Sequence, residues 1–139
     1  MRLWHYRLIP YLPRLQLVSQ WRECCCIAKN IAEKGTPNHI LVNKIMDYPI
    51  DHFAQYCCHV YNEMHYRGYK CDVSRLNKHI SLTLTNVPIQ VFPNWHNDIY
   101  LRQCLYNLEE KAMCNGIPSD EWEKIYKKFN QTNSLWHCD

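Results

Sequence analysis

Apolar residues recur at helical spacing in several parts of the chain. One stripe runs from about residue 14 to 34 and stops before Gly35, and a second runs from about 50 to 67 and stops at Gly68. A third runs from about 97 to 113, after Asn97 or Asp98 as its cap, and a short fourth helix begins at Ser119. Residues three and four apart share one face of a helix, so this spacing predicts an all-α fold. The core positions expected from the three long stripes are Leu17, Val18, Trp21, Cys24, Cys25, Ala28, Ile31 and Ala32; Ile50, Phe53, Ala54, Cys57, Val60, Tyr61 and Met64; and Ile99, Leu101, Arg102, Leu105, Leu108 and Ala112.

The segments between the stripes are predicted to be irregular. Pro10 and Pro13 disfavour a helix over residues 1–13, which we expect to be an extended, packed arm. Residues 35–49 and 70–95 are expected to be loops, with a short turn of helix near 73–79. The run "SLTLTNVPIQVF" alternates like a strand but has no evident partner. We therefore predict one compact domain over residues 1–139, with about three main helices, long loops and an extended N-terminal arm.

Composition adds an expectation about the compartment and the cysteines. No apolar run in the 139 residues is long enough to span a bilayer, and no signal peptide is recognisable, so we expect a soluble, intracellular protein. The nine cysteines include neighbours that point in different directions on a helix, which favours free, structural thiols over disulfides. A metal site built from His52, Cys57, Cys58 and His59 is the less favoured alternative, because the usual ligand spacings are missing. We expect no bound metal.

Charge is unevenly distributed along the chain. The net charge is +3, but residues 1–80 hold 11 Lys/Arg against 6 Asp/Glu and residues 81–139 hold 5 against 7. A basic N-terminal part fits a polyanion as partner. On charge alone, an ordinary solvated surface is the simpler interpretation.

Candidate chemistry is concentrated at the chain start, "MRLWHYRLIPYLPRLQLVSQWRECC". Common catalytic signatures, such as phosphate-binding glycine loops, are missing. An α-amine has a pKa of about 7.7–8.0, so part of it is neutral near pH 7 and can attack a sugar C1′ to form a Schiff base. A nearby carboxylate can move protons, and arginines can hold phosphates. Met1, Arg2, Arg22 and Glu23 are the right residue types, although Arg22 and Glu23 would also suit a solvated helix face.

Three stretches of the chain resemble one known family. "LVSQWRECC", preceded by "MRLWHYRLIPYLPR", resembles the start of pyrimidine-dimer DNA glycosylases of the phage endonuclease V type, which carry an aromatic-Arg-Glu triplet in their first helix. "HYRGYKCD" at residues 65–72 is similar to the end of that family's second helix. "LEEKAMCNGIPSDEW" is loosely similar to its third helix and tail.

The resemblance implies a DNA glycosylase that is also an abasic-site lyase. The α-amine of Met1 would attack C1′ of the 5′ nucleotide of a cyclobutane dimer, and β-elimination from the Schiff base would nick the strand. Glu23 would be the catalytic carboxylate, and Arg22 and Arg2 would contact DNA. The partner implied is damaged double-stranded DNA, kinked and with a base flipped out. The enzyme would be a monomer without metal or organic cofactor, in the bacterial cytoplasm or nucleoid or in a phage-infected cell.

The chain also departs from the family pattern. An arginine in second position normally protects the initiator methionine from removal. Because Arg2 stands there, the reactive amine would belong to Met1 itself. Gln16 stands where the family has a histidine, and Cys26 where it has a further arginine that contacts DNA. These differences leave open whether abasic sites or another lesion replace pyrimidine dimers as substrate.

Other residues near the terminus are weaker candidates for DNA contacts. His5, Gln16 and Lys29 are included as DNA-binding residues, with a packed or a surface histidine as the alternative for His5. Trp4 and Trp21 could stack on a base, although aromatic residues at such positions more often belong to a core. Two further functions stay open: a helical nucleic-acid-binding protein without catalysis, and a Cys/His metal-binding protein.

Overall fold

The computed structural model describes residues 1–82 and 87–130. Within these residues there are α-helices but no strands, so the predicted all-α class is confirmed. The strand-like run at 81–92 lies partly outside the described residues, and Trp136 lies wholly outside them. The α-helices are α1 (Arg14–Lys34), α2 (Ile50–Tyr66), α3 (Ser74–Asn77), α4 (Asp98–Met113) and α5 (Ser119–Asn130).

Helix α1 has the predicted ends but a partly different core face. It begins after Pro13 and ends at Gly35, whose positive φ of 73° suits glycine and whose N–H donates to Ile31 O. Gln20, expected on the polar side, is fully buried, and Ile27 is buried as well, whereas Ala32 is exposed. The buried stripe is therefore rotated toward Gln20 and ends one turn earlier than predicted.

The N-terminal arm is packed, as predicted, but only its first residues are extended. Residues Tyr6–Tyr11 form a 3₁₀ helix that contains Pro10, so the prediction of an extended arm was wrong there. The side chain of His5 starts this helix by accepting a hydrogen bond from Arg7 N at 3.1 Å, and Leu8 N donates to His5 O at 2.8 Å. A short 3₁₀ turn tolerates proline because few of its N–H groups are bonded. The apolar side chains of the arm that are buried are Leu3, Trp4, Leu8, Ile9 and Leu12.

The end of α2 holds the end of the arm. Gly68 has a φ of 77° and closes the helix, and Tyr69 N donates to Met64 O at 3.0 Å. The Arg67 guanidinium donates to Glu63 at 2.8 Å. It also donates to the backbone oxygens of Leu12 and Pro10, at 2.8 and 3.1 Å. One arginine thus ties residues 10–12 to α2.

The loop predicted at 35–49 contains a second 3₁₀ helix, Asn43–Asp47, which buries Ile45. The short helix expected near 73–79 is α3. The 3₁₀ helix corrects the predicted loop, and the all-α fold class is unchanged. The predicted single domain over 1–139 stays a prediction, because residues 131–139 are outside the described part.

A tight turn before α4 directs aromatic rings toward the chain start. Phe92 has a φ of 50°, which is uncommon for a bulky residue, and His96 N donates to Phe92 O at 2.9 Å. Asn97 caps α4 by accepting from Tyr100 N at 2.9 Å, as predicted. Ile99 was wrongly expected in the core: it lies about 200° around the helix from Leu101 and is exposed. The buried face of α4 consists of Leu101, Cys104, Leu105 and Leu108.

The eight cysteines of the described residues are free thiols. Cys24, Cys25, Cys57 and Cys104 are buried and act as small apolar side chains. Burial, with the Cys24 thiol beside it, raises the pKa of Cys57 well above its ordinary value. The Cys57 thiol is therefore protonated and packed in the core.

Candidate active site

Side chains from three helices bind the backbone of residues 2–4. The carbonyl oxygens of three consecutive residues each accept a hydrogen bond from a side chain of α1, α4 or α2. The bonds run from Gln20 Nε2 to Arg2 O (3.0 Å), from the Tyr100 hydroxyl to Leu3 O (2.6 Å) and from the Tyr56 hydroxyl to Trp4 O (2.6 Å). We call Gln20, Tyr56 and Tyr100 the clamp. Because these backbone carbonyls are satisfied by specific buried or partly buried donors, residues 2–4 have a defined position in the fold.

Gln20 is the member of the clamp that also meets a carboxylate. It is fully buried, and its Oε1 accepts from Trp4 N at 2.9 Å and lies 3.1 Å from the Tyr56 hydroxyl. Its Nε2 donates to Arg2 O and lies 3.5 Å from Glu23 Oε2. Trp4 N can only donate and Arg2 O can only accept, so the orientation of the amide is fixed by its partners. Gln20 therefore connects the chain start to Glu23.

Three polar residues lie on one side of α1. Two of them, Gln16 and Glu23, were predicted site residues, and Gln20 was not. Gln16, Gln20 and Glu23 are spaced by four and three residues and share a face. Gln16 is partly buried, and its Oε1 is buried without a hydrogen-bond partner among the described residues. Glu23 is partly exposed, so a molecule at the surface can reach it.

The predicted cations of α1 lie on a different, exposed side. Arg22 and Lys29 are seven residues apart, about two turns, and both are exposed. Cys26, which is also exposed, lies between them on this side. This stripe of α1, Arg22–Cys26–Lys29, is separate from the clamp but borders Glu23.

Arg2 is held beside the clamp. Its guanidinium lies 5.4 Å from the centre of the Trp4 ring, and its positive charge opposes the rise that burial causes in the pKa values of Tyr100 and Cys104. It lines an open cavity of about 330 Å³ together with Lys44, Trp95 and Tyr100. No carboxylate lines this cavity among the described residues, so its charge is positive.

His5 is buried, unlike a residue that contacts DNA at the surface. Its ring is 1% exposed and stacks on His96, with 5.1 Å between ring centres. His96 Nδ1 accepts from Tyr6 N at 3.1 Å. Burial lowers the pKa of His5 to about 4 and that of His96 to about 2, so both rings are neutral at pH 7. This position favours the packed-histidine alternative over direct DNA contact.

Met1, Arg2, Arg22 and Glu23 are candidates from the sequence, and their roles stay predictions; the clamp was not predicted. A signal for Gln20 existed, because it lies three residues after Leu17 and four before Cys24, within the buried stripe. Tyr56 and Tyr100 gave no signal, since their partners are distant in sequence. Trp4 and Trp21, considered as base-stacking candidates, are both in the core.

The described residues contain no group of three His, Cys, Asp or Glu side chains that could hold a metal ion. The metal-binding alternative thus finds no support in that part of the chain. No helix in the same part has the length and apolar character required to cross a bilayer.

Comparison with known proteins gives one match. A family model described as pyrimidine dimer DNA glycosylase matches residues 1–77, somewhat more than half of the chain. This range includes the arm, α1, α2 and α3, and with them all the predicted site residues. No curated protein and no solved structure matches the chain.

Proposed function

The chain belongs to the pyrimidine dimer DNA glycosylase family, and from this premise we propose that it is a bifunctional repair enzyme, a glycosylase and abasic-site lyase. The α-amine of Met1 is the nucleophile and Glu23 is the catalytic carboxylate. The substrate is damaged double-stranded DNA carrying a cyclobutane pyrimidine dimer or a related lesion. The protein acts as a monomer without a metal or organic cofactor.

The observation that carries the proposal is the clamp on residues 2–4. Chain ends are usually poorly ordered, because few contacts offset the entropy of fixing them. Here two buried side chains, Gln20 and Tyr56, and the partly buried Tyr100 bond three consecutive carbonyls next to Met1. A nucleophile must be held within reach of its target, and a fixed backbone beside the amine supports that requirement.

The chemistry balances with the groups available. The neutral amine attacks C1′, the glycosidic C1′–N bond breaks and the base leaves with its electron pair. The amine nitrogen gives up a proton to Glu23, and the ring oxygen O4′ takes up a proton as the C1′–O4′ bond breaks, which leaves an iminium ion at C1′. Removal of a C2′ proton then expels the 3′ phosphate by β-elimination, and water releases the amine. Glu23, near the chain start, is suited to stabilise the positive charge and to accept protons.

Cations near this carboxylate suit contacts with phosphates. Arg22 and Lys29 are exposed on one side of α1, and Arg2 lines a positive cavity. Gln16 lies one turn before Gln20 on the side of Glu23. We assign phosphate contacts to the three cations and a contact near the lesion to Gln16. His5 supports the arm from the core.

Blocking the terminal amine tests the proposal. Protein with a free Met1 amine is compared with the same protein acetylated at that amine, on duplexes carrying a thymine dimer or an abasic site. We expect acetylation to abolish strand nicking and to leave DNA affinity within about threefold, because one charge among several is lost. Equal nicking by both forms would contradict an amine nucleophile. DNA binding without nicking by the free form would favour the alternative of a non-catalytic nucleic-acid-binding protein.

A further inference from the structure

We propose that Gln20 is a positioning residue that fixes the Met1 end of the chain relative to the Glu23 carboxylate. The inference rests on the proposed function and names a residue that the sequence pattern did not single out. It concerns geometry, because the buried amide of Gln20 is not exposed to DNA.

The Gln20 amide bonds the backbone of the arm through both its oxygen and its nitrogen. Oε1 accepts from Trp4 N and Nε2 donates to Arg2 O, so a single side chain bonds the backbone on both sides of Leu3. The same Nε2 lies 3.5 Å from Glu23 Oε2. Gln20 and Glu23 are three residues apart on a rigid helix. The Gln20 amide therefore fixes the position of the chain start relative to α1 and Glu23.

The other members of the clamp lack this double role. Among the described contacts, the Tyr100 hydroxyl bonds Leu3 O, and the Tyr56 hydroxyl bonds Trp4 O and approaches Gln20. Neither has a described bond to Glu23. Removing Gln20 would release two backbone groups of the arm and the carboxylate together.

The expected consequence is a loss of rate rather than of binding. A reacting group displaced by about 1 Å can slow a reaction about 10²-fold. Gln20 has no exposed surface for a DNA contact, so affinity for the duplex does not depend on it directly. A purely structural residue would lower thermal stability without selectively lowering the rate on bound DNA.

The experiment compares Gln20→Met with Leu108→Ala. Met keeps the length of the side chain and removes both hydrogen-bonding functions. Leu108 is fully buried on α4 and is not part of the clamp, so its truncation lowers the unfolding temperature without touching the chain start. Four quantities are measured: the unfolding temperature, the single-turnover nicking rate on an abasic duplex, the Kd for a duplex with a tetrahydrofuran analogue, and the DNA-free reactivity of the Met1 amine toward a small aldehyde with borohydride.

For Gln20→Met we expect a rate at least about 10-fold lower, a Kd within about threefold and unchanged amine reactivity. For Leu108→Ala we expect a lower unfolding temperature and a rate within about threefold. Gln20→Glu is the second variant if Gln20→Met does not fold, since it keeps the acceptor for Trp4 N but loses the donor to Arg2 O. It should lose rate at pH 7 to a similar extent.

Two results overturn the inference while the proposed function stands: a Gln20 variant with the wild-type rate, or a Leu108→Ala rate that falls as far as that of Gln20→Met. If the wild-type protein has a free Met1 amine but no activity on a thymine dimer or an abasic site, the proposed function is wrong, and this inference is wrong with it.

Discussion

The hydroxyl of Tyr56, in the middle of α2, donates a 2.6 Å hydrogen bond to the backbone carbonyl of Trp4. Tyr56 is fully buried, and burial raises the pKa of its phenol well above the ordinary value, so it remains a donor. The start of the chain therefore lies against the core, where side chains of α1, α2 and α4 meet. The proposed chemistry depends on this placement, because an amine on a loose tail would rarely meet its target.

Glu23→Gln should separate catalysis from binding. The amide keeps the size of the side chain but cannot accept a proton, so the single-turnover rate should fall about 10²- to 10⁴-fold. Affinity for an uncleavable damaged duplex should change less than about threefold, since no cation is lost. Single-turnover kinetics and fluorescence anisotropy measure the two quantities.

Glu33→Gln is the matched control, because Glu33 is an exposed carboxylate on the same helix. It should leave both quantities unchanged. Equal losses in the two variants would show that the lost charge, and not the position of Glu23, determines the rate.

Arg22→Gln should weaken DNA binding in a salt-dependent way. A cation that contacts one phosphate releases one counterion, so its loss should reduce the slope of log Kd against log salt by about 0.9. Lys127→Gln is the control: Lys127 is exposed on α5 and pairs with Glu123 at 3.1 Å, away from α1. The measurement is a salt titration of Kd.

Cys26→Arg tests the same surface in the opposite direction. Cys26 is exposed between Arg22 and Lys29, so an arginine there should add a phosphate contact and steepen the salt dependence by about 0.9. If neither the Arg22 nor the Cys26 substitution changes the slope of log Kd against log salt, this stripe is not part of the DNA interface.

The sequence predicted the helices better than it predicted the clamp. Local signals place the ends of α1 and α2: Gly35 and Gly68 both adopt positive φ, and Asn97 caps α4. The 3₁₀ helix of the arm was missed because prolines argue against long helices and say little about short turns. The burial of His5 was left open because the residue that stacks on it, His96, is far along the chain.

The residues of the candidate site also fall into two groups, those that the sequence indicated and those that only the tertiary structure reveals. Arg22 and Glu23 are candidates by residue type, Gln16 is one by the family resemblance, and all three lie on α1. Tyr56 and Tyr100 join the site only through tertiary packing, with bonds that span 52 and 97 residues. No local pattern encodes a contact at that separation.

Arg67→Met should destabilise the fold without altering the site. The guanidinium is mostly buried and bonds Glu63 and two carbonyls of the arm, so removing it leaves three acceptors without their donor. We expect the free energy of unfolding to fall by about 2–4 kcal/mol. Urea denaturation measures the loss.

Lys127→Gln again provides the control, because its ion pair with Glu123 is exposed and should contribute less than about 1 kcal/mol. A similar small loss for Arg67→Met would mean that Arg67 does not hold the arm.

Stability should decline as the pH falls below 6.5. The folded-state pKa values of His5 and His96 are lowered to about 4 and about 2, so the unfolded chain binds protons that the folded chain does not. Each ring should cost on the order of 2 kcal/mol between pH 7 and pH 5. Burial also lowers the pKa values of His52 and His59, which adds loss in the same direction.

His5→Asn checks the assignment, because asparagine can still accept from Arg7 N at the start of the 3₁₀ helix. The dependence of stability on pH should become shallower by about one proton between pH 6 and pH 4.5. An unchanged slope would show that His5 is not buried in its neutral form.

Borohydride trapping identifies the nucleophile of the protein, because it fixes the Schiff base to the amine that formed it. Protein with a free terminus is mixed with a duplex carrying a thymine dimer or an abasic site, borohydride is added, and the site of the covalent adduct is mapped by mass spectrometry. An amine nucleophile at Met1 predicts a covalent adduct on its α-amine; trapping on the abasic duplex alone would keep this mechanism and change the substrate. An adduct on a lysine, or no adduct on either duplex with the amine demonstrably free, would contradict it.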